Sequence, residues 1–128
     1  MVKLLLVDDE KGITDSLKSF FEQRGFAVDT AESGERAIEK VKKDKPDIVF
    51  LDIRMRGMGG LDALREIKKI DNNIKTIMLT MLEDKETVER AKSLGADEYI
   101  TKPFKIDYLE KIVINKVQEL MKERGSKG

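Results

Sequence analysis

"DIVFLDIRM", residues 47–55, sets four apolar side chains in succession, Ile48 to Leu51, and ends them on a carboxylate, Asp52. An unbroken apolar run of this length is the pattern of a strand buried on both faces. Such a strand belongs in a parallel sheet covered by helices. Asp52 then needs a reason. It is either a turn or cap residue, or a group delivered to the edge of the sheet.

The flanking sequence repeats the same alternation. Residues 3–7 read as a buried strand, and Ile13, Leu17, Phe20 and Phe21 then recur at helical spacing until Arg24 and Gly25 stop the helix. Residues 26–30 read as a second strand. Ser33 can cap the next helix, with Glu35 in its first turn and Ala37, Ile38 and Val41 inside. Pro46 precedes the strand at 48–51. A loop with Gly57, Gly59 and Gly60 leads to a helix that buries Leu61, Leu64 and Ile67. Residues 75–79 form a fourth strand. Asp84 can cap a helix carrying Val88, Ala91 and Leu94 that stops at Gly95, and 98–100 is a short fifth strand. The spacing predicts a last helix over 105–122, with Leu109, Ile112, Val113, Val117 and Leu120 on one stripe and "KERGSKG" largely beyond it. Strands that alternate with helices give an α/β fold with a parallel sheet, because every crossover is a helix.

Composition narrows the chemistry. A length of 128 residues suits one domain with a core that needs no staple. There is no Cys and no His, which removes disulfides, thiolate or imidazole metal sites and a histidine general base. The 25 basic and 25 acidic residues balance, unlike the basic footprint of a nucleic-acid binder. No apolar run approaches the roughly 20 residues of a membrane span, and "MVKLLLVDDE" is too short and acidic for a signal peptide. The expectation is a cytoplasmic protein with no membrane insertion and no direct nucleic-acid binding.

Open parallel sheets bind ligands outside the carboxyl ends of their strands. Past those ends stand Asp8, Asp9 and Glu10, then Asp52, then Thr80, then Thr101, Lys102 and Pro103. Each alone reads most simply as a cap, a turn or a loop residue. Together they gather carboxylates, a hydroxyl and an ammonium on one edge. Neighbouring carboxylates repel, and a divalent cation relieves that cost; an all-oxygen set selects a hard ion such as magnesium. An aspartate can also act as a nucleophile toward phosphorus, and phosphoryl transfer then needs chiefly positioning and charge neutralisation.

The motifs "LLLVDDE", "DIVFLDIRM", "IMLT" and "GADEYITKPF" resemble the receiver domain of bacterial two-component response regulators, the CheY-like family, over about residues 2–121. The resemblance implies a single flavodoxin-like (βα)5 domain over 1–122, with a five-stranded parallel sheet of order 2-1-3-4-5, helices on both faces, and 123–128 as a polar tail or linker stub. It implies that Asp52 is the phosphoacceptor. Asp9 would ligate Mg2+ directly, Asp8 chiefly through water, and Arg54 by its backbone carbonyl. Lys102 would be the phosphate-binding lysine, Thr80 the switch hydroxyl and Tyr99 the switch aromatic. The Lys102–Pro103 bond would be cis. The implied partners are a sensor histidine kinase or phosphotransfer protein and a downstream target on the face of the fourth helix, fifth strand and fifth helix; a phosphorylation-dependent homodimer is a further option. Such a protein catalyses only its own phosphotransfer and dephosphorylation. Having no His, it must take its phosphoryl group from another molecule.

The chain departs from the family pattern at three places near the acceptor. Arg56 stands where proline is usual, Gly59 where aspartate is common, and Met81 where the residue is small; Leu82 occupies a position that varies and tunes hydrolysis. Arg56 and Met81 support an alternative, a receiver-like binding module that is never phosphorylated. A second alternative is a magnesium-dependent aspartyl phosphatase of the haloacid dehalogenase type. Against it, the residue two past the nucleophile is Arg54 rather than an acid, and the chain has no room for a cap domain.

Overall fold

The computed structural model describes residues 1–81 and 84–126. Five strands and five helices alternate: β1 (Lys3–Val7), α1 (Lys11–Glu22), β2 (Ala27–Ala31), α2 (Gly34–Lys43), β3 (Ile48–Leu51), α3 (Gly60–Ile70), β4 (Lys75–Thr80), α4 (Lys85–Ser93), β5 (Glu98–Thr101) and α5 (Ile106–Ser126). All neighbouring strands are parallel, in the order β2-β1-β3-β4-β5 that the resemblance implied. The central register sets Leu5 beside Val49 and Val49 beside Thr76.

The period of two along each strand divides the core. Leu4 and Leu6 of β1, with Ile48 and Phe50 of β3, face α1 and α5, where Leu17, Phe21, Leu109 and Val113 meet them. Leu5 and Val7, with Val49 and Leu51, face the other way, onto Ala37 and Val41 of α2 and Leu64 and Ile67 of α3. A continuous apolar run is therefore required of β3, because each of its side chains enters one core or the other. All four are buried to within 1% of full coverage.

Local signals account for most boundaries. Ser33 Oγ accepts the Arg36 N–H at 3.2 Å, and Asp84 Oδ1 accepts the Thr87 N–H at 2.9 Å. Each side chain satisfies an amide that the first helical turn leaves without a partner. Gly25 adopts φ 89° just past α1, a conformation that costs other residues a Cβ clash. The one sizeable departure is α5, which continues to Ser126 rather than ending near 122. Glu123 explains the extension: its carboxylate holds Lys75 Nζ of β4 at 2.8 Å, tying the extra turn to the sheet. Among the described residues, no helix is long and apolar enough to cross a membrane.

Candidate phosphoryl-transfer site

The strand order decides which strand ends meet. β1 and β3 are neighbours, and β4 and β5 follow in sequence, so the groups just past Val7, Leu51, Leu79 and Thr101 share one edge. Asp8, Asp52 and Thr80 are all buried there. Lys102 reaches across from β5, and its Nζ donates to Asp8 Oδ2 at 2.7 Å and to Asp52 Oδ2 at 2.9 Å. The lysine side chain is only 11% exposed in both pairs. The remaining carboxylate oxygens are also engaged. Asp8 Oδ1 accepts the Glu10 N–H at 2.9 Å, and Asp52 Oδ1 accepts the Arg54 N–H at 3.1 Å. Lys102 is anchored by its own amide, which donates to the Thr80 carbonyl at 2.8 Å. The Lys102–Pro103 bond is cis, as the resemblance implied.

Burial and charge act in opposition on this group. Burial pushes the Asp52 carboxyl above its ordinary value; the hydrogen bond and charge of Lys102 pull it down, repulsion from Asp8 adds to the rise, and the rise prevails. Burial also works against the Lys102 ammonium, but its hydrogen bonds to Asp8 and Asp52 outweigh that and leave it above its ordinary value. An isolated ion pair lowers its acid and raises its base. Here the base gains and Asp52 does not, because one ammonium serves two carboxylates and Asp52 is buried.

A cavity of about 340 Å3 opens over the Asp52 side of this pair, lined by Asp9, Glu10, Asp52, Arg54, Thr80 and Met81. Met81 is 75% exposed at its mouth. It does not pack beneath α4, so truncating it removes no core contact. Asp9 is half-buried and reaches this cavity, whereas Asp8 is committed to Lys102 beneath it. Among the described residues, no three acidic side chains are gathered so as to hold a metal ion. The oxygen donors that face the cavity nevertheless suit a hard divalent cation and no soft one. Tyr99 stands apart from this cavity, half-buried against the core on the α2–α3 face. It lines a separate hollow of about 410 Å3 with Pro103, Phe104 and Tyr108. Leu82 lies outside the described residues.

Two contacts had no signal in the sequence beyond a loop-like composition. Glu35, at the start of α2, accepts the Met58 N–H at 3.3 Å and so ties the loop after β3, where proline is absent, to a helix. Gly60 seats the first turn of α3 directly on the backbone of Asp52 and Ile53. A glycine at the start of an otherwise regular helical stripe was the available clue.

A model of the response regulator receiver domain matches residues 4–114 of the chain. The sporulation initiation phosphotransferase F of Bacillus subtilis is 37% identical over 111 residues, covering 87% of this chain and 90% of that protein. Regulatory protein VanRB of Enterococcus faecalis is 33% identical over 125 residues, which is 98% of this chain but 54% of that protein. The chain thus spans nearly all of one relative and about half of the other. Among solved structures, a CheY-like response regulator receiver domain protein from Methanospirillum hungatei superposes with a TM-score of 0.94 at 29% identity, covering 96% of this chain and 98% of that one.

Proposed function

The chain belongs to the receiver family of response regulators, and from that premise we propose that Asp52 is its phosphoacceptor. As a receiver it accepts a phosphoryl group, relays the signal by a conformational switch, and acts on its own phosphoryl group rather than as a general enzyme. The observation that carries the assignment to Asp52 is the ammonium of Lys102 within 2.9 Å of its carboxylate, on the floor of an open cavity.

A histidine kinase or phosphorelay partner presents a phosphohistidine. An Asp52 carboxylate oxygen attacks phosphorus, the donor's P–N bond breaks as the new P–O bond forms, and the electron pair leaves with the imidazole, which takes its proton from solvent. A small acyl phosphate reacts likewise, with a carboxylate as the leaving group. Burial has already stripped Asp52 of much of the hydration that a nucleophile must otherwise shed. The Lys102 ammonium neutralises charge on the phosphoryl oxygens, and Thr80, lining the same cavity, offers its hydroxyl to one of them. Magnesium, held by Asp9, Asp52, the Arg54 carbonyl and, through water, Asp8, would add charge neutralisation there. Water attacking the same phosphorus later breaks the acyl P–O bond, restoring the carboxylate and releasing inorganic phosphate.

The new group carries about 1.5–2 negative charges. Drawing Thr80 toward it vacates space for Tyr99 to turn, which reshapes the face of α4, β5 and α5. A downstream target docks on that face, over the hollow lined by Tyr99, Phe104 and Tyr108; a phosphorylation-dependent homodimer would use the same face. Intact mass after incubation with acetyl phosphate and magnesium tests the acceptor. One added phosphoryl group is expected on the wild type and none on Asp52→Asn. A stable adduct on the variant would move the acceptor elsewhere. No adduct on the wild type would leave a binding module, and turnover of a phosphomonoester would point to the phosphatase.

A further inference from the structure

Three glycines follow the acceptor strand, and the transfer chemistry uses none of them. They have different reasons to be glycine. A Cβ at Gly59 would meet nothing closer than 3.6 Å, an ordinary contact. Gly57 has φ +73°, and a Cβ there would stand 2.8 Å from the Glu35 carboxylate, the far end of a flexible side chain. Gly60 has no positive φ; it is buried and opens α3. A Cβ at this position would lie 2.1 Å from the carbonyl oxygen of Asp52, 2.8 Å from its carbonyl carbon and 2.6 Å from Cα of Ile53. All three are backbone atoms of the acceptor and its neighbour, and none can rotate away. The Gly60 N–H also donates to the Ile53 carbonyl at 2.9 Å, closing the loop back onto the residue that follows Asp52.

Those contacts bear on the direction of one side chain. The Asp52 N–H is fixed by the Val7 carbonyl at 3.1 Å on the β1 side. Its carbonyl lies so close to Gly60 that a Cβ there would overlap it. Between these two restraints, the carboxylate is aimed at Lys102 Nζ and the Arg54 N–H. We infer that Gly60 is a positioning residue for Asp52: its missing side chain lets the first turn of α3 press on the acceptor's backbone and set the line of approach to phosphorus. A β-carbon at this place must displace Asp52 or α3 by about 1 Å merely to escape overlap, and by more to reach an ordinary contact; a misplacement of about 1 Å already costs on the order of a hundredfold in an aligned transfer.

This rests on Asp52 being the acceptor, so Asp52→Asn accompanies the test. Phosphorylation by acetyl phosphate with magnesium is followed by intact mass across donor concentrations, at a temperature where circular dichroism shows each variant folded. Gly60→Ala is expected to lower the maximal rate about tenfold to a hundredfold, with the half-saturating donor concentration little changed, because the mouth of the cavity is untouched. Its Asp52 carboxyl, followed by carbon-13 NMR, should titrate differently from that of the wild type while remote carboxyls do not move. Gly59→Ala should match the wild type. Gly34→Ala, whose Cβ would press on Met58 at 3.0–3.1 Å, should lose melting temperature without losing maximal rate. A wild-type maximal rate and Asp52 titration in Gly60→Ala would overturn the inference. So would failure of that variant to fold at any temperature, which would make Gly60 a residue of the fold alone. A wild type that takes up no phosphoryl group, or an Asp52→Asn that does, would instead overturn the acceptor assignment.

Discussion

At Asp52, the group proposed to react also strains the fold that holds it. Burial raises its carboxyl above 3.8 in the folded chain. The fold therefore binds that proton more tightly than the unfolded chain does. Its contribution favours the fold at low pH and is lost as pH rises from 3.8 through the folded value. Asp52→Asn keeps the shape and cannot ionise, and Lys102 keeps Asp8 as partner. The variant's melting temperature should gain on the wild type as pH is raised from 4 to 7, and a gap that stays constant would contradict this. Met81 concerns access instead. It is 75% exposed beside Thr80, and a flexible thioether hinders a donor without sealing the cavity. Met81→Ala should speed phosphorylation from acetyl phosphate by roughly twofold to tenfold, with stability changed by less than about 0.5 kcal/mol, the usual range for a surface site. An unchanged or slower rate would end the gating idea.

Among the elements, α5 holds a group that its own pattern did not announce. Lys116 falls on the buried stripe with Leu109, Val113 and Leu120, yet carries a charge and is 5% exposed. Its Nζ meets Glu98 of β5 at 3.1 Å and Glu119 at 3.3 Å, and Lys75 of β4 joins through Glu119 and Glu123. Burial lowers the Lys116 ammonium, but Glu98 and Glu119 more than restore it. The two ends of this bridge should respond unequally. Lys116→Met fills the same volume and leaves two partly hydrated carboxylates, so the melting temperature should hardly move. Glu98→Ala leaves a buried ammonium with Glu119 as its one remaining partner in the bridge and should cost about 1–2 kcal/mol, less than a fully buried pair because Glu98 is about a third exposed. Equal losses in urea unfolding would show that packing, not charge, decides. The same bridge ties α5 to β5 one residue before Tyr99.

On the scale of the whole molecule, one sheet edge collects the groups of the proposed site, and ligand binding there should stabilise the entire domain. Millimolar magnesium should raise the wild-type melting temperature, and Asp9→Ala should blunt the rise while leaving the metal-free protein as stable or slightly more so, since a carboxylate beside others is removed. A marked loss of stability in the metal-free variant would make Asp9 a structural cap. The strands, the order of helices and the residues at the strand ends were all legible in the sequence. Apolar runs, helical stripes and caps such as Ser33 and Asp84 are local, and a parallel sheet then forces the ends of successive strands onto one edge. What local pattern could not contain was contact between distant segments. Lys102 shared between Asp8 and Asp52, Glu123 lengthening α5 through Lys75, the Glu35 tie to Met58 and the seat of Gly60 on Asp52 join residues far apart in the chain or folded back on themselves. The same holds for Met81, whose exposure depends on where α4 and the cavity lie rather than on its own chemistry. The sequence by itself determined which groups arrive at the edge, because that follows from periodicity; only the tertiary structure decided which of them touch, because burial, charge sharing and steric fit exist only between neighbours in space.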